Sequence, residues 1–236
     1  MEQNSFKKGI RDGLPICFGY IAVSFAFGIF STSSGLGVLE TVMISMTNLT
    51  SAGQLAAVPI ITGAGAIIEL LLSQLIINMR YALMSVSLSQ KLSHGVRLRD
   101  RFLIAFANTD EIFAVASSQT GQVGRLYMFG LALTPFAGWT LGTLFGAVAG
   151  NVLPPMLVNA LGIAIYAMFI AIVVPVARTN GKVALASLCA VLLSVLFYYL
   201  PLLRDIPAGF TIIIIAISVS LVMAIVAPVE EVTEDA

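Results

Sequence analysis

Residues 37–62 read GVLETVMISMTNLTSAGQLAAVPIIT, and the polar run Thr47-Asn48-Leu49-Thr50-Ser51-Ala52-Gly53-Gln54 at their centre decides how the rest of the chain is threaded. Both flanks are apolar, yet the run carries amides, hydroxyls and a glycine that gain nothing from facing hydrocarbon. Two readings fit. The segment is one spanning helix broken midway, or two half-helices forming a re-entrant hairpin that enters and leaves on the same side.

The choice matters because lipid is the solvent here. Of 236 residues, 58% are hydrophobic and only 10% charged, and the mean hydropathy is +0.99. A soluble domain carries about a quarter charged residues, whereas an ion in hydrocarbon costs a few kcal/mol. Stretches long enough for about 30 Å of hydrocarbon at 1.5 Å per residue fall at 13–31, 64–89, 101–119, 126–149, 156–177, 182–200 and 208–228. The fold class is therefore all-α: a polytopic helical membrane protein with about seven spanning helices plus a broken or re-entrant helix pair. No linker or second soluble domain interrupts it, so residues 1–236 read as a single integral membrane domain.

The bias of Lys and Arg toward the cytoplasmic side favours the hairpin. With the amino terminus inside, the hairpin puts Lys7, Lys8, Arg11, Lys91, Arg97, Arg99, Arg101 and Arg204 in the cytoplasm, against Arg125, Arg178 and Lys182 outside. The broken-span reading divides them nearly evenly. With the hairpin, the acidic tail EEVTED also ends outside. The basic start MEQNSFKKGIRDG precedes an apolar run, Leu14–Phe30, that is longer than a secretory h-region and lacks a clear cleavage site, so it reads as a retained first span.

Several classes of function are set aside. Zero net charge provides no basic field for nucleic acid. Cys17 and Cys189 lie in apolar runs and His94 in a charged loop without companions, so no metal or cofactor is assigned. No HExxH or GxSxG grouping is present, and Asp110-Glu111 has no histidine partner, which argues against an intramembrane enzyme.

Polar groups at membrane depth are the functional candidates. In the interrupted segment, a half-helix starting near Ser51 would aim free backbone N–H groups and a positive dipole end at the bilayer middle, a geometry suited to a carboxylate. Asn48, Thr50, Ser51, Ala52, Gly53 and Gln54 form this candidate binding segment; packing of a kinked helix is the plainer alternative. The other clusters are Asn78-Met79-Arg80-Tyr81 and Asn108-Thr109-Asp110-Glu111. If spans 64–89 and 101–119 form an antiparallel hairpin turning near residue 96, Arg80 and Glu111 reach the same depth. An ion pair of Arg80 with Asp110 or Glu111 follows, either purely structural or one that opens or protonates during transport. Two carboxylates facing one Arg leave one without a full partner, and that one is a proton carrier candidate. Glu69, near the outer end of its span, is ranked lower because it can snorkel. Gly138, Gly142, Gly146 and Gly150 form one helical stripe for close packing, either within the chain or against a separate subunit.

These residues resemble the AzlC-type family, the large subunits of branched-chain amino acid export permeases. The resemblance rests on Gly13-x-Pro15, Phe27-Gly28, Ser51-Ala52-Gly53-Gln54, Asn78-x-Arg80 and Asp110-Glu111-x-Phe113, in order over residues 10–180. Tyr81 departs from it, standing where histidine is common. The resemblance implies an amino-acid substrate of the valine, leucine and isoleucine class extending to methionine, outward transport, and a small hydrophobic AzlD-type partner subunit. Coupling to protons or another ion is the expectation from the acidic pair facing Arg80, and a bacterial-type cytoplasmic membrane is the expected location. Asn78 and Tyr81, which flank Arg80 at membrane depth, join the substrate-binding candidates.

Overall fold

A computed structural model describes residues 4–154, 156–157, 170 and 173–227. The chain is helical: α1 (Phe6–Ser33), α2 (Val38–Thr47), α3 (Ser51–Thr62), α4 (Ile67–Lys91), α5 (Leu98–Phe106), α6 (Asp110–Ser117), α7 (Arg125–Val152), α8 (Gly181–Tyr199), α9 (Pro201–Arg204) and α10 (Ala208–Val226). Among the described residues five helices, α1, α4, α7, α8 and α10, are long and apolar enough to cross a membrane. They match five of the seven expected spans. The expected span 156–177 lies largely outside the described residues, as does the acidic tail.

The scaffold is the pair α1 and α7. A Cβ on Gly138 would stand 2.8 Å from Cys17 O, one on Gly142 2.6 Å from Ile21 O, and one on Gly150 3.4 Å from Ile29 Cα; Gly146 abuts Phe25. Both numbers rise together, so the helices run parallel in near-backbone contact. The glycine stripe is thus spent inside the chain. From the other side Gly9, Gly13 and Gly28 on α1 meet the backbone of α7.

Just past α1 the chain reverses. Leu36 N–H donates to Ser31 O and Gly35 N–H to Thr32 O, the paired bonds of a Schellman stop, with Gly35 at φ +101°, a backbone conformation that side-chain-bearing residues rarely adopt. α2 therefore starts where α1 ends: Thr41 bonds Ser31 at 2.8 Å, and four residues on Ser45 bonds Thr143 at 2.7 Å. After the break, α3 climbs back. Gln54 still reaches Ser45, but Val58 packs with Ala26 and Phe27 near the end of α1. At about 1.5 Å per residue these helices of 10 and 12 residues each cover about half the hydrocarbon. The segment is the re-entrant hairpin.

α4 then descends from Glu69, beside Ile60 and Gly65, to Leu88 and Leu92, which pack with Val123, Tyr127 and Met128 at the start of α7. Here the structure corrects the expected span 101–119. It is a second re-entrant hairpin, entering from the opposite end. Ile104 of α5 belongs to the cluster at the start of α7, Ala107 reaches the central cluster of Tyr20, Leu49 and Trp139, and Ile112 and Ala116 of α6 return to the first cluster. Gln119 then accepts from Lys8 near the beginning of α1. Ser93 N–H to Val123 O and Val123 N–H to Lys91 O close its base. Buried Asn108 and Thr109 therefore form a tip rather than a polar patch on a continuous helix.

One correction follows from the other. Because α5 and α6 do not cross, α7 begins at the same end as α1, and Arg125 moves to that end. α10 starts beside Glu69, whose Oε1 accepts from Gly209 N–H at 2.7 Å. α8, 19 residues long and joined to α10 through α9, must begin at the end where α1 begins. Arg178 and Lys182 therefore join Lys7, Lys8, Arg11, Lys91, Arg97, Arg99, Arg101 and Arg125, leaving Arg204 at the other end. The expectation that Arg125, Arg178 and Lys182 face away from the amino terminus is overturned, and α10 finishes at the amino-terminal end rather than the far one.

Candidate functional site

Two hairpin tips meet halfway along α1 and α7. Leu49 of the first and Ala107 of the second lie in one buried cluster with Tyr20, Ala132 and Trp139. Each tip is a short break followed by a helix N-terminus, so the starts of α3 and α6 approach mid-depth from opposite ends, each bringing unsatisfied N–H groups and a positive dipole end.

The two ends differ chemically. α3 has Thr50 as N-cap without a side-chain cap bond and no acidic residue in its first turn. Ser51 and Ala52 supply its leading N–H groups, and side chains buttress the tip from behind. Asn48 Nδ2 donates to Gln74 Oε1 at 3.1 Å, Thr50 Oγ1 to Asn48 Oδ1 at 2.9 Å, and Gln74 Nε2 to Gly53 O at 2.9 Å. Asn78 Nδ2 also reaches Gln74 Oε1, at 3.2 Å, while its Oδ1 is buried without a partner. A Cβ on Gly53 would sit 2.6 Å from Gln74 Oε1, so a side chain there would have to displace the Gln74 amide. Fully buried Gln54 donates to Ser45 at 2.8 Å and accepts from Trp139 Nε1 at 3.0 Å.

α6 carries its anions with it. Thr109 caps Ile112 N–H, and Asp110 and Glu111 occupy the first turn. The two carboxylates diverge. Asp110 Oδ2 lies 2.9 Å from Arg80 Nη1, whereas Glu111 Oε2 accepts from Tyr20 OH at 2.6 Å. Tyr20 OH also lies 2.7 Å from Thr109 Oγ1. Arg80 is steadied by Tyr81, with Nη2 3.2 Å from its hydroxyl and the guanidinium 5.0 Å from its ring centre. Arg80 and Asp110 stay about half exposed, at 52% and 47%, so the pair lies outside the buried core. Asn108 donates to Ser85 Oγ at 3.3 Å, and its buried Oδ1 is unpartnered.

Arg80 lies beside the acidic pair, as equal depth predicts, but for a different reason: Asp110 stands at the turning point of a hairpin, not in the middle of a helix antiparallel to α4. Glu69 is 3% exposed and caps α10, so the snorkelling reading of it is corrected. Tyr20 and Trp139 were not among the sequence candidates. Their rings meet edge to face at 5.0 Å, Tyr20 holding the second tip and Trp139 the first. The available signal was weak: a tyrosine and the chain's single tryptophan inside apolar runs read as packing. Among the described residues no group of three His, Cys, Asp or Glu side chains converges to hold a metal.

Taken together, the centre offers an anion-receptive end at α3, two carboxylates at α6 and an aromatic wall between them. Known proteins match the sequence that carries these features. The family described as AzlC protein matches residues 15–153, a segment that includes both tips. The inner membrane protein YgaZ of Escherichia coli K12 is 28% identical over 205 residues, covering 84% of each chain. A membrane protein of Archaeoglobus fulgidus with no described activity is 29% identical over 191 residues, covering 77% of this chain and 84% of its own. No solved structure matches. With more than half its length matched by that family, and both tips inside the match, the chain is a membrane protein of the AzlC family.

Proposed function

We propose that this protein is a transporter, not an enzyme, exporting branched-chain amino acids across a bacterial-type cytoplasmic membrane with its amino terminus inside. The observation that carries the reading is the pair of half-helix N-termini meeting at mid-depth with opposite dressing. The uncapped start of α3 suits the substrate carboxylate. Asp110 and Glu111 at the start of α6 suit its ammonium, with Tyr20 and Arg80 as partners released or exchanged during the cycle. The carboxylate freed from its partner is the proton carrier in a proton-coupled cycle. Aliphatic selectivity belongs to the wall of Leu49, Tyr20 and Trp139, and is supported by the family resemblance. The orientation rests on ten cations at one end against Arg204 at the other. The name of the Escherichia coli relative accords with an inner membrane.

An AzlD-type small hydrophobic subunit is the proposed partner. It must dock elsewhere than on the glycine stripe, which α1 occupies. The test is efflux. Cells loaded with valine- or methionine-containing dipeptides should accumulate the free amino acid when the gene is deleted and clear it when the gene is restored together with the small subunit. Equal accumulation in both would overturn the reading. A non-transporting scaffold is the rival, and Arg80→Ala combined with Asp110→Asn, which leaves no stranded charge, separates the two: a transporter loses efflux while still inserting and assembling, whereas in a scaffold efflux does not follow the variant.

A further inference from the structure

The molecule has a cavity away from the hairpin tips. It lies between the last turns of α4 and the length of α5, at the cation-rich end, and its walls are Leu88, Leu92, Leu98, Phe102 and Ile104, with Ser85 and Ser89 along one side. Arg101 stands in it. Among the described residues its guanidinium donates to backbone carbonyls, Val96 O and Ser89 O, both at 3.4 Å. None of the ion pairs among the described residues includes it. Asp100, the acid beside it in sequence, is turned inward at 4% exposed and faces Arg125 at 3.6 Å. Lys91 ends α4, and Arg97 and Arg99 stand at the start of α5, so further cations belong to the same two elements. The outer rim, Leu98 and Phe102, is 71% and 70% exposed, so the cavity opens sideways as a trough.

We propose that this trough binds one anionic phospholipid, its phosphate on Arg101 and one acyl chain along the apolar wall between α4 and α5. The chemistry selects the occupant. A free amino acid brings an ammonium group, and nothing in the lining is acidic. A lipid of this class brings one anion, which Arg101 and its basic neighbours attract at the membrane boundary, and one chain that needs only apolar contact. The site also has a consequence. α5 is the outer arm of the second hairpin, and Ser85 in the trough accepts from Asn108 at that hairpin's tip, so a seated lipid braces the tip from behind.

Native mass spectrometry of the full chain in mild detergent tests this, with palmitoyl-oleoyl phosphatidylglycerol and the matching phosphatidylcholine as probes. The wild type should retain one phosphatidylglycerol in preference to phosphatidylcholine. Arg101→Gln should cut that retention at least tenfold. Ala105→Leu, which fills the trough and leaves every charge in place, should do the same, while Lys7→Gln should leave it unchanged. Equal retention of the two lipids, or both trough variants binding like wild type, overturns the site. Loss in Arg101→Gln alone, with Ala105→Leu binding normally, would reduce it to surface charge and overturn the trough. Displacement of the lipid by millimolar leucine would reassign the trough to substrate and overturn the lipid. None of these outcomes depends on whether the protein exports amino acids.

Discussion

At the residue scale the site is a set of paired charges and amides whose partners come from different elements, so single substitutions separate position from fold. Arg80→Ala leaves Asp110 without its ion-pair partner and should reduce both the yield of monodisperse protein and efflux. Adding Asp110→Asn removes the stranded charge and should restore much of the yield while efflux stays lost, because an unpaired charge costs more than a missing pair. A double variant that transports would remove the pair from the mechanism. Tyr20→Phe keeps the ring against Trp139 and deletes the hydroxyl that holds Glu111 and Thr109. A hydrogen bond to a charged group contributes roughly 1.5–3 kcal/mol, so efflux should fall about 10- to 100-fold at near-normal expression. Wild-type efflux would make Tyr20 packing alone. Tip residues from Asn48 to Gln54 were legible in the sequence because the eight-residue run Thr47 to Gln54 broke an apolar pattern. Tyr20 and Trp139 were not, since an aromatic residue in a span looks the same whether its polar atom meets a hairpin or a headgroup.

At the element scale the parallel pair α1 and α7 is the rigid part, and glycine is what lets it form. In a helix interior Gly→Ala ordinarily stabilises by about 0.5–1 kcal/mol. Gly19→Ala should behave that way, since nothing lies within 4 Å of its new Cβ. Gly142→Ala should do the opposite: its Cβ would stand 2.6 Å from Ile21 O, and backbone cannot move aside without parting the helices. Thermal melts of the two variants in one detergent check the contrast, and a Gly142→Ala melting at or above wild type would sink it. The sequence showed the stripe clearly but not its partner, because small residues at a four-residue interval record closeness and not what is close. It also concealed the second hairpin. Residues 101–119 are as long as one membrane crossing, and α5 and α6, at 9 and 8 residues, fill that length equally well laid end to end or folded back. The telling detail is that Asn108-Thr109 repeats the Asn and Thr of Asn48-Leu49-Thr50, in each case with Thr as the N-cap of the returning half.

At the scale of the whole molecule, a helix followed by a hairpin entering from the end where that helix finishes occurs twice with opposite sense, first as α1 with α2 and α3, then as α4 with α5 and α6. The same order of elements with opposite sense is found in transporters built from inverted repeats, whose central site lies between the two halves. The charge distribution supports it independently. Treating residues 101–119 as a crossing places Arg125, Arg178 and Lys182 against the positive-inside bias, and folding them back as a hairpin removes all three conflicts in one step. The decisive comparison is therefore between His94 and Thr120, which flank the disputed segment and are both exposed. In a background with Cys17→Ser and Cys189→Ser, single cysteines at His94, Thr120 and Gly181 should react with an impermeant maleimide only from the cytoplasmic face. Cysteines at Thr62 and Asp205 should react only from the outer face. If His94 and Thr120 label from opposite faces, α5 and α6 cross the membrane and the second hairpin is wrong. If all five positions exchange faces together, the hairpins stand and only the assigned orientation is inverted.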